Sequence, residues 1–219
     1  MPSTRQGFNL ELEALRQEIL AMGNMVMKSI DEAVLSLSTG DSALARKVMT
    51  GDDEIDAMEV DIEDKCMILI ARQQPLARDL RILGTGLKIT TDLERMGDHA
   101  YDIANITLKI HHEPLIKPLV DIPRMAQMGK DMLQNSLEAY LTLDVAMAEK
   151  VCQADDAVDD LYQQVVRELL TYMMEKPNTI SQATQILFVA RYLERIADHA
   201  TNIAEWVIYL ATGERLRKK

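Results

Sequence analysis

The chain is predicted to be all-α, folded as two tandem, pseudo-symmetric three-helix bundles built from an internal repeat. Three observations point there. Residues 93–104 read LERMGDHAYDIA and residues 193–204 read LERIADHATNIA, an offset of 100. Eight of the twelve positions are identical: Leu93, Glu94, Arg95, Asp98, His99, Ala100, Ile103 and Ala104. Upstream, DSALARKVMTGDDEID (41–56) aligns with DVAMAEKVCQADDAVD (144–159) at an offset of 103, so three residues are missing from the second copy between the blocks. Such periodicity fixes the architecture before any local propensity does. The third observation is composition. Apolar residues make up 47% of the 219 residues but aromatics only 4%, and there are 14 Met. Leu, Ala, Met and Ile favour helices, whereas strands draw on aromatic and β-branched residues. The first repeat is assigned to residues 1–113 and the second to 114–219.

The elements follow in order. A first helix runs from about Phe8 to Thr39 and stops at Gly40. A short helix from Asp41 to Thr50 follows, with Asp41 as N-cap and Gly51 after its end. The next helix spans Asp52 to Gln73, and Pro75 marks a tight turn. A long helix then spans Leu76 to His111, about 50 Å at ~1.5 Å per residue. Pro114, Pro118 and Pro123 punctuate the junction, and Pro123 also suits a first helical turn. The second half repeats the order: Ile122 to Thr142, a short helix from Asp144, Asp155 to Glu175, a turn at Pro177, and Ile180 to Thr212. Short turns at Pro75 and Pro177 make their flanking helices antiparallel neighbours. Leu93, Met96, Ala100 and Ile103 form a core stripe, matched by Leu193, Ile196, Ala200 and Ile203. Gly97, Ala100 and Ala104, with Ala197, Ala200 and Ala204, add a small-residue strip that suits close helix packing. The basic tail from Arg215 reads as a solvated end.

Charge narrows the function classes. The net charge of −11 argues against a nucleic-acid partner, whose phosphates require Lys and Arg. Cys66 and Cys152 have no partner at metal-site or redox spacing and read as reduced thiols in a cytoplasmic protein. No apolar signal segment and no run of about 18 apolar residues is visible, so no membrane span is expected.

The residues that carry chemistry are acidic. Glu94 and Asp98 are four apart on one helix face, and Asp102 and Asn105 continue the stripe. The second copy supplies Glu194, Asp198, Asn202 and Glu205. In an antiparallel hairpin, residues equidistant from the turn lie level. Asp56 is 19 residues before position 75 and Glu94 is 19 after it; Asp52 and Asp98 are each 23 away. Asp155 with Asp198, and Asp159 with Glu194, are equidistant from a turn centred between 176 and 177. The deletion shortens both arms together and keeps the register. Each half thus brings a D-x-x-x-D pair level with an E-x-x-x-D pair. Like charges at that spacing repel, and clustered oxygen donors suit Mg, Ca, Mn or oxygen-ligated Fe. The alternative is that these are solvated faces, or that Arg95, Arg195 and Lys65 neutralise them. His99 and His199 sit about 100° round from the carboxylates and read as packing or surface residues. His111 and His112 belong to a helix end. No E-x-x-H, P-loop, dinucleotide fingerprint, H-E-x-x-H or G-x-S-x-G occurs, so an enzyme is not expected.

The doubled helix LERMGDHAYDIA and LERIADHATNIA, the turn ArgGlnGlnProLeuAlaArgAspLeuArg (72–81) and the counterpart TyrMetMetGluLysProAsnThrIle (172–180) together resemble the PhoU family, the phosphate-uptake regulators of bacteria. The resemblance spans essentially the whole chain. It implies a cytoplasmic homodimer that is accessory to the phosphate ABC transporter. It implies negative control of the phosphate-starvation two-component response, through the transporter's ATPase subunit and the phosphate-sensing histidine kinase. The membrane is then reached through protein partners. The resemblance also implies divalent or trivalent metal ions, multinuclear iron among them, with Mn, Zn and Mg as alternatives. Its ligands here are Glu94, Asp98, Glu194 and Asp198, with Asp102 and Asn202 as neighbours. Asp52, Asp56, Asp155 and Asp159 join them from the register argument. A metal-dependent phosphate-binding or metal-handling protein is the competing function.

Overall fold

The computed structural model describes residues 4–215. Six long helices account for nearly all of them: α1 (Thr4–Thr39), α2 (Ser42–Gln73), α3 (Ala77–Ile110), α4 (Asp121–Thr142), α5 (Val145–Glu175) and α6 (Ile180–Thr212), with one 3₁₀ turn at Pro177–Thr179. Among the described residues there is no strand. The all-α repeat architecture is therefore as expected.

The two short helices expected after Asp41 and Asp144 are not separate elements. Each is the first part of one continuous helix, α2 and α5. The reason lies in the buried stripe. Ala45, Val48, Ile55, Ile62, Cys66 and Leu69 keep one helical face through Gly51, so packing holds the helix across it. A mid-helix glycine costs only about 1 kcal/mol relative to alanine, too little to break a packed helix of this length.

The helix ends repeat as the sequence does. Gly40 turns the chain out of α1 at φ +68°, and Asp41 caps α2 by accepting from the Ala43 and Leu44 amides at 2.9 and 3.0 Å. At the equivalent junction Leu143 takes φ +55° and Asp144 accepts from the Met147 amide at 3.0 Å. A leucine in this left-handed region costs roughly 1 kcal/mol, and packing of Leu143 against the core offsets it. Pro123 lies in the first turn of α4, where its missing amide hydrogen is not needed. The linker between the halves is pinned by buried Gln182, which accepts from the Ile116 amide at 2.6 Å and donates to the Pro114 carbonyl at 3.1 Å.

The helices α1, α2 and α3 pack together, as do α4, α5 and α6, and α3 packs on α6 at the centre. The central pair is antiparallel: Arg81 meets Tyr209, Asp92 meets His199 and His99 meets Tyr192. The core is continuous through this pair. Leu93, Met96, Ala100 and Ile103 and their mates Leu193, Ile196, Ala200 and Ile203 are fully buried, as the stripe required. Each large aliphatic side chain there contributes about 1.5–3 kcal/mol by burial. Cys66 and Cys152 are free, and burial pushes their thiols up to about 12 and about 11. No helix among the described residues is long and apolar enough to cross a membrane.

Candidate metal centre

The candidate ligands lie in two grooves, one between α2 and α3 and its repeat between α5 and α6. Their register follows from tight helix packing. Gly97 faces α2, and a β-carbon there would sit 3.2 Å from Asp52 Oδ1 and 3.2 Å from Ile55 Cγ2. The small residue lets α2 approach until Asp52 lies over α3. Gly97 of the small-residue strip thus serves the hairpin that carries the acids.

In the first groove Asp52 feels Asp56, Asp98 and Asp102. Burial first, then those neighbours, raises its carboxyl to about 6. Glu94 is raised further, to about 7, by burial and then Asp98, with Glu59 and Asp56 adding to it and Arg95 opposing. In the second groove Asp155 is pushed up to about 6 by burial, Asp198 and Asp159. Burial and Asp198 likewise raise Asp159 and Glu194. The pairs that the register places level, Asp52 with Asp98 and Asp155 with Asp198, do sense each other across the helices.

Arginines complete both grooves. Arg95 donates to Asp98 at 2.8 Å and lies 3.2 Å from Glu94 Oε2. Arg195 donates to Asp198 at 3.0 Å, and Arg191 pairs with Glu194. The neutralising role considered for Arg95 and Arg195 is therefore present. Lys65 plays no part in it; it bonds Glu18 at 2.7 Å and Asp61 at 2.5 Å.

One sequence-based placement needs amendment. Asn202 does not continue the second acidic stripe. Its amide donates to Asp92 Oδ1 on α3 at 3.2 Å, beside His199 Nδ1 at 2.9 Å from the same oxygen. Residues four apart rotate about 40° per step, so by position 202 the stripe has turned from α5 toward α3. Asp102 has turned likewise toward Tyr192 on α6 but still senses Asp98, and burial raises it. The histidines are packing residues of the central pair. His99 and His199 lie 5.7 Å apart between ring centroids, and His99 stacks on Tyr192 at 5.5 Å. Burial, with His199 adding to it, lowers His99 to about 4 and keeps it neutral.

One acid was missed. Glu59 is raised by burial and Glu63, and it sits beside Thr91 across the first groove. Glu59 and Thr91 are equidistant from position 75, so the register rule extended one turn would have found it. The equivalent pair in the second copy is Tyr162 and Arg191, with the guanidinium 5.9 Å from the ring centroid. The grooves therefore differ. The first gathers Asp52, Asp56, Glu59, Glu94, Asp98 and Asp102 around Arg95. The second gathers Asp155, Asp159, Glu194 and Asp198 around Arg191 and Arg195.

Among the described residues, no three His, Cys, Asp or Glu side chains converge tightly enough to chelate one ion. The donors are all carboxylate oxygens, the type that hard cations take. Asp52 Oδ1, Glu94 Oε2 and Glu194 Oε2 are buried oxygens that accept no hydrogen bond, the two glutamate oxygens having only ion-pair contacts with Arg95 at 3.2 Å and Arg195 at 3.9 Å. A buried acceptor left in that state costs about 1–3 kcal/mol. The side chain of Arg95, which neutralises Glu94 and Asp98, is 55% exposed.

A domain model described as the PhoU domain matches the chain twice, at residues 19–107 and 122–207. A Clostridium acetobutylicum protein described as a phosphate-specific transport system accessory protein PhoU homolog is 43% identical over 97% of this chain and 98% of its own length. The Escherichia coli phosphate-specific transport system accessory protein PhoU is 37% identical over 96% and 87%. The crystal structure of PhoU from Pseudomonas aeruginosa superposes with a TM-score of 0.91 at 41% identity, covering 94% of this chain and all of that one. The phosphate transport system regulatory protein PhoU from Streptococcus pneumoniae gives 0.90 at 31% identity, covering 96% and 100%. With two matching domains and full-length similarity to such relatives, this chain belongs to the PhoU family.

Proposed function

We propose that this protein regulates phosphate uptake as an accessory of a phosphate transport system, and that it works by binding rather than by catalysis. The observation that carries this is similarity of 37–45% over nearly the whole chain to proteins described in those terms. In finer detail, it restrains the phosphate-starvation response by docking on the transporter's ATPase subunit and on the phosphate-sensing histidine kinase. It does so from the cytoplasm, as a homodimer. Transient contacts of this kind are small and polar, and long helices offer the extended faces they use.

The two carboxylate grooves hold metal ions in this proposal. Glu94, Asp98, Asp52 and Asp56 serve the first, with Asp102 at its edge and Glu59 added by the structure. Glu194, Asp198, Asp155 and Asp159 serve the second, and Asn202 serves neither. A bound cation supplies positive charge that relieves the carboxylate repulsion. Oxygen donors suit iron, Mn or Mg better than thiophilic ions.

Deleting the gene tests the regulatory role. Starvation-induced genes become active in phosphate-rich medium, and normal repression in the deletion strain contradicts it. The competing function, direct metal-dependent capture of phosphate, is favoured by those same buried oxygens. Phosphate titration separates the two: binding that appears only after metal loading supports capture.

A further inference from the structure

One end of this acidic molecule carries three arginines that form no ion pair. At the start of α3 stand Arg78 and Arg81; at the end of α6 stand Trp206 and Tyr209, followed by Arg215. The Arg81 and Arg215 guanidinium carbons lie 5.5 and 5.6 Å from the centroid of the same Tyr209 ring. Arg215 is also 5.1 Å from Trp206, and the two aromatic rings meet edge to face at 6.0 Å. Away from this end Arg95 bonds Asp98 and Arg195 bonds Asp198, and the one acid between Arg78 and Arg81, Asp79, is held by Arg5. Among the described residues, no carboxylate pairs with Arg78, Arg81 or Arg215. Two like charges sharing one ring, in a chain of net charge −11, call for an anion.

The cluster is built by the local sequence. Gly213, at φ +84°, turns the chain after α6 so that Arg215 folds back over the last turns. A β-carbon at Gly213 would meet Arg81 Nη1 at 2.8 Å, so only glycine leaves that guanidinium its place. Beside it is a notch of about 350 Å³. Ile82, Leu143 and Leu210 line it as apolar surface, and Arg78 and Arg81 stand at its rim. Nearby, Leu76 is 82% exposed.

We propose that this end of the molecule is a docking surface for an acidic protein segment: clustered Asp or Glu side chains on the arginines, with one apolar side chain in the notch. The chemistry favours a protein over a lipid surface. Stacking on Tyr209 and Trp206 holds the guanidinium forks in place, and a fixed fork selects a carboxylate by two parallel hydrogen bonds. Arginine, tyrosine and tryptophan around an apolar pocket are the residues that dominate protein interfaces. This surface is separate from both carboxylate grooves and does not depend on their occupancy.

The test uses the full chain and a short fluorescein-labelled peptide of glutamates with one central phenylalanine, followed by fluorescence anisotropy. Saturable binding is expected, weakened roughly tenfold, or about 1.4 kcal/mol, in the triple variant Arg78→Gln, Arg81→Gln, Arg215→Gln, as suits exposed ion pairs that are each weak. The pair Arg81→Lys, Arg215→Lys keeps the charge but loses the forks and weakens binding too. A control pair at exposed positions elsewhere, Arg46→Gln and Lys88→Gln, leaves it unchanged. Circular dichroism checks that each variant is folded, and the lysine pair serves if the triple variant is not. Absent binding, equal binding by the triple variant, or equal loss in the control pair overturns the proposal. So does arginine-dependent adsorption to phosphatidylglycerol vesicles without peptide binding, which would assign this end to a membrane.

Discussion

Asp52 and Gly97 face each other across the α2–α3 groove: a β-carbon on Gly97 would stand 3.2 Å from Asp52 Oδ1. That arrangement ties the packing of the hairpin to the position of a buried carboxylate oxygen with no hydrogen-bond partner. Gly97→Ala gains helix propensity of about 1 kcal/mol and loses part of it as Asp52 and Ile55 give way. The metal-free melting temperature is expected to change by no more than a few degrees. The upward shift on adding Mn(II) should shrink, because Asp52 is displaced from the first groove. Thermal unfolding with and without metal checks both; an undiminished shift removes Asp52 from the site.

The raised carboxyls give a signed pH dependence. Asp52, Glu94 and Asp155 are held at about 6, about 7 and about 6 in the folded protein. Their values in the unfolded chain are about 4. The folded state holds their protons more tightly, so this stabilisation is full below about pH 4 and is lost as pH rises through 6 to 7. His99, lowered to about 4, works the other way below its usual value of about 6.5. Between about pH 6.5 and 7.5 the carboxylates therefore dominate, and the metal-free melting temperature should fall. Metal displaces those protons, so the Mn(II)-induced shift should grow over the same window. A metal-free melting temperature that rises there contradicts this electrostatic description.

The grooves are expected to be unequal. The first sets six carboxylates against Arg95, whereas the second sets four against Arg191 and Arg195. Asp98→Asn should abolish the tighter class of cation binding and Asp198→Asn the weaker. Without metal each change should be near neutral, since the like charge it removes offsets the exposed ion pair lost to Arg95 or Arg195. Arg191→Gln should tighten the second class. Titration calorimetry checks the order, and two equal classes in the native chain contradict it.

At the centre of the molecule, Asp92 holds His199 and Asn202 from α3. Asp92→Ala leaves two partly buried donors without an acceptor and should cost about 1–2 kcal/mol. Asp92→Asn keeps an acceptor and should cost less. Urea unfolding checks the ranking; equal costs would mean that Asp92 contributes only shape.

Much of this was legible in the sequence. The doubled LER motif fixed two equivalent halves, and the final helix was read to its observed bounds, Ile180–Thr212. The level pairing of Asp52 with Asp98 followed from counting outward from Pro75, because an antiparallel hairpin with a short turn has one register. The misreading at Gly51 came from weighting a Gly-Asp-Asp punctuation above the stripe Ala45, Val48, Ile55, which crosses it without a change of phase. Asn202 was misplaced because its direction depends on how α3 docks on α6, a relation between halves that no local pattern encodes. The arginine–tyrosine cluster was hidden for the same reason: Arg81 and Tyr209 are far apart in the chain and meet only through that docking.

The central claim is that the two grooves are built for cations. It is tested most directly by titrating Mn(II) into chelator-treated protein by calorimetry, beside a variant carrying Asp52→Asn, Asp98→Asn, Asp155→Asn and Asp198→Asn. The native chain should bind in two classes and gain thermal stability by mass action, while the folded variant should do neither. Absence of binding by the native chain up to roughly millimolar metal, the range of weak oxygen sites, or equal binding by the variant, would contradict it.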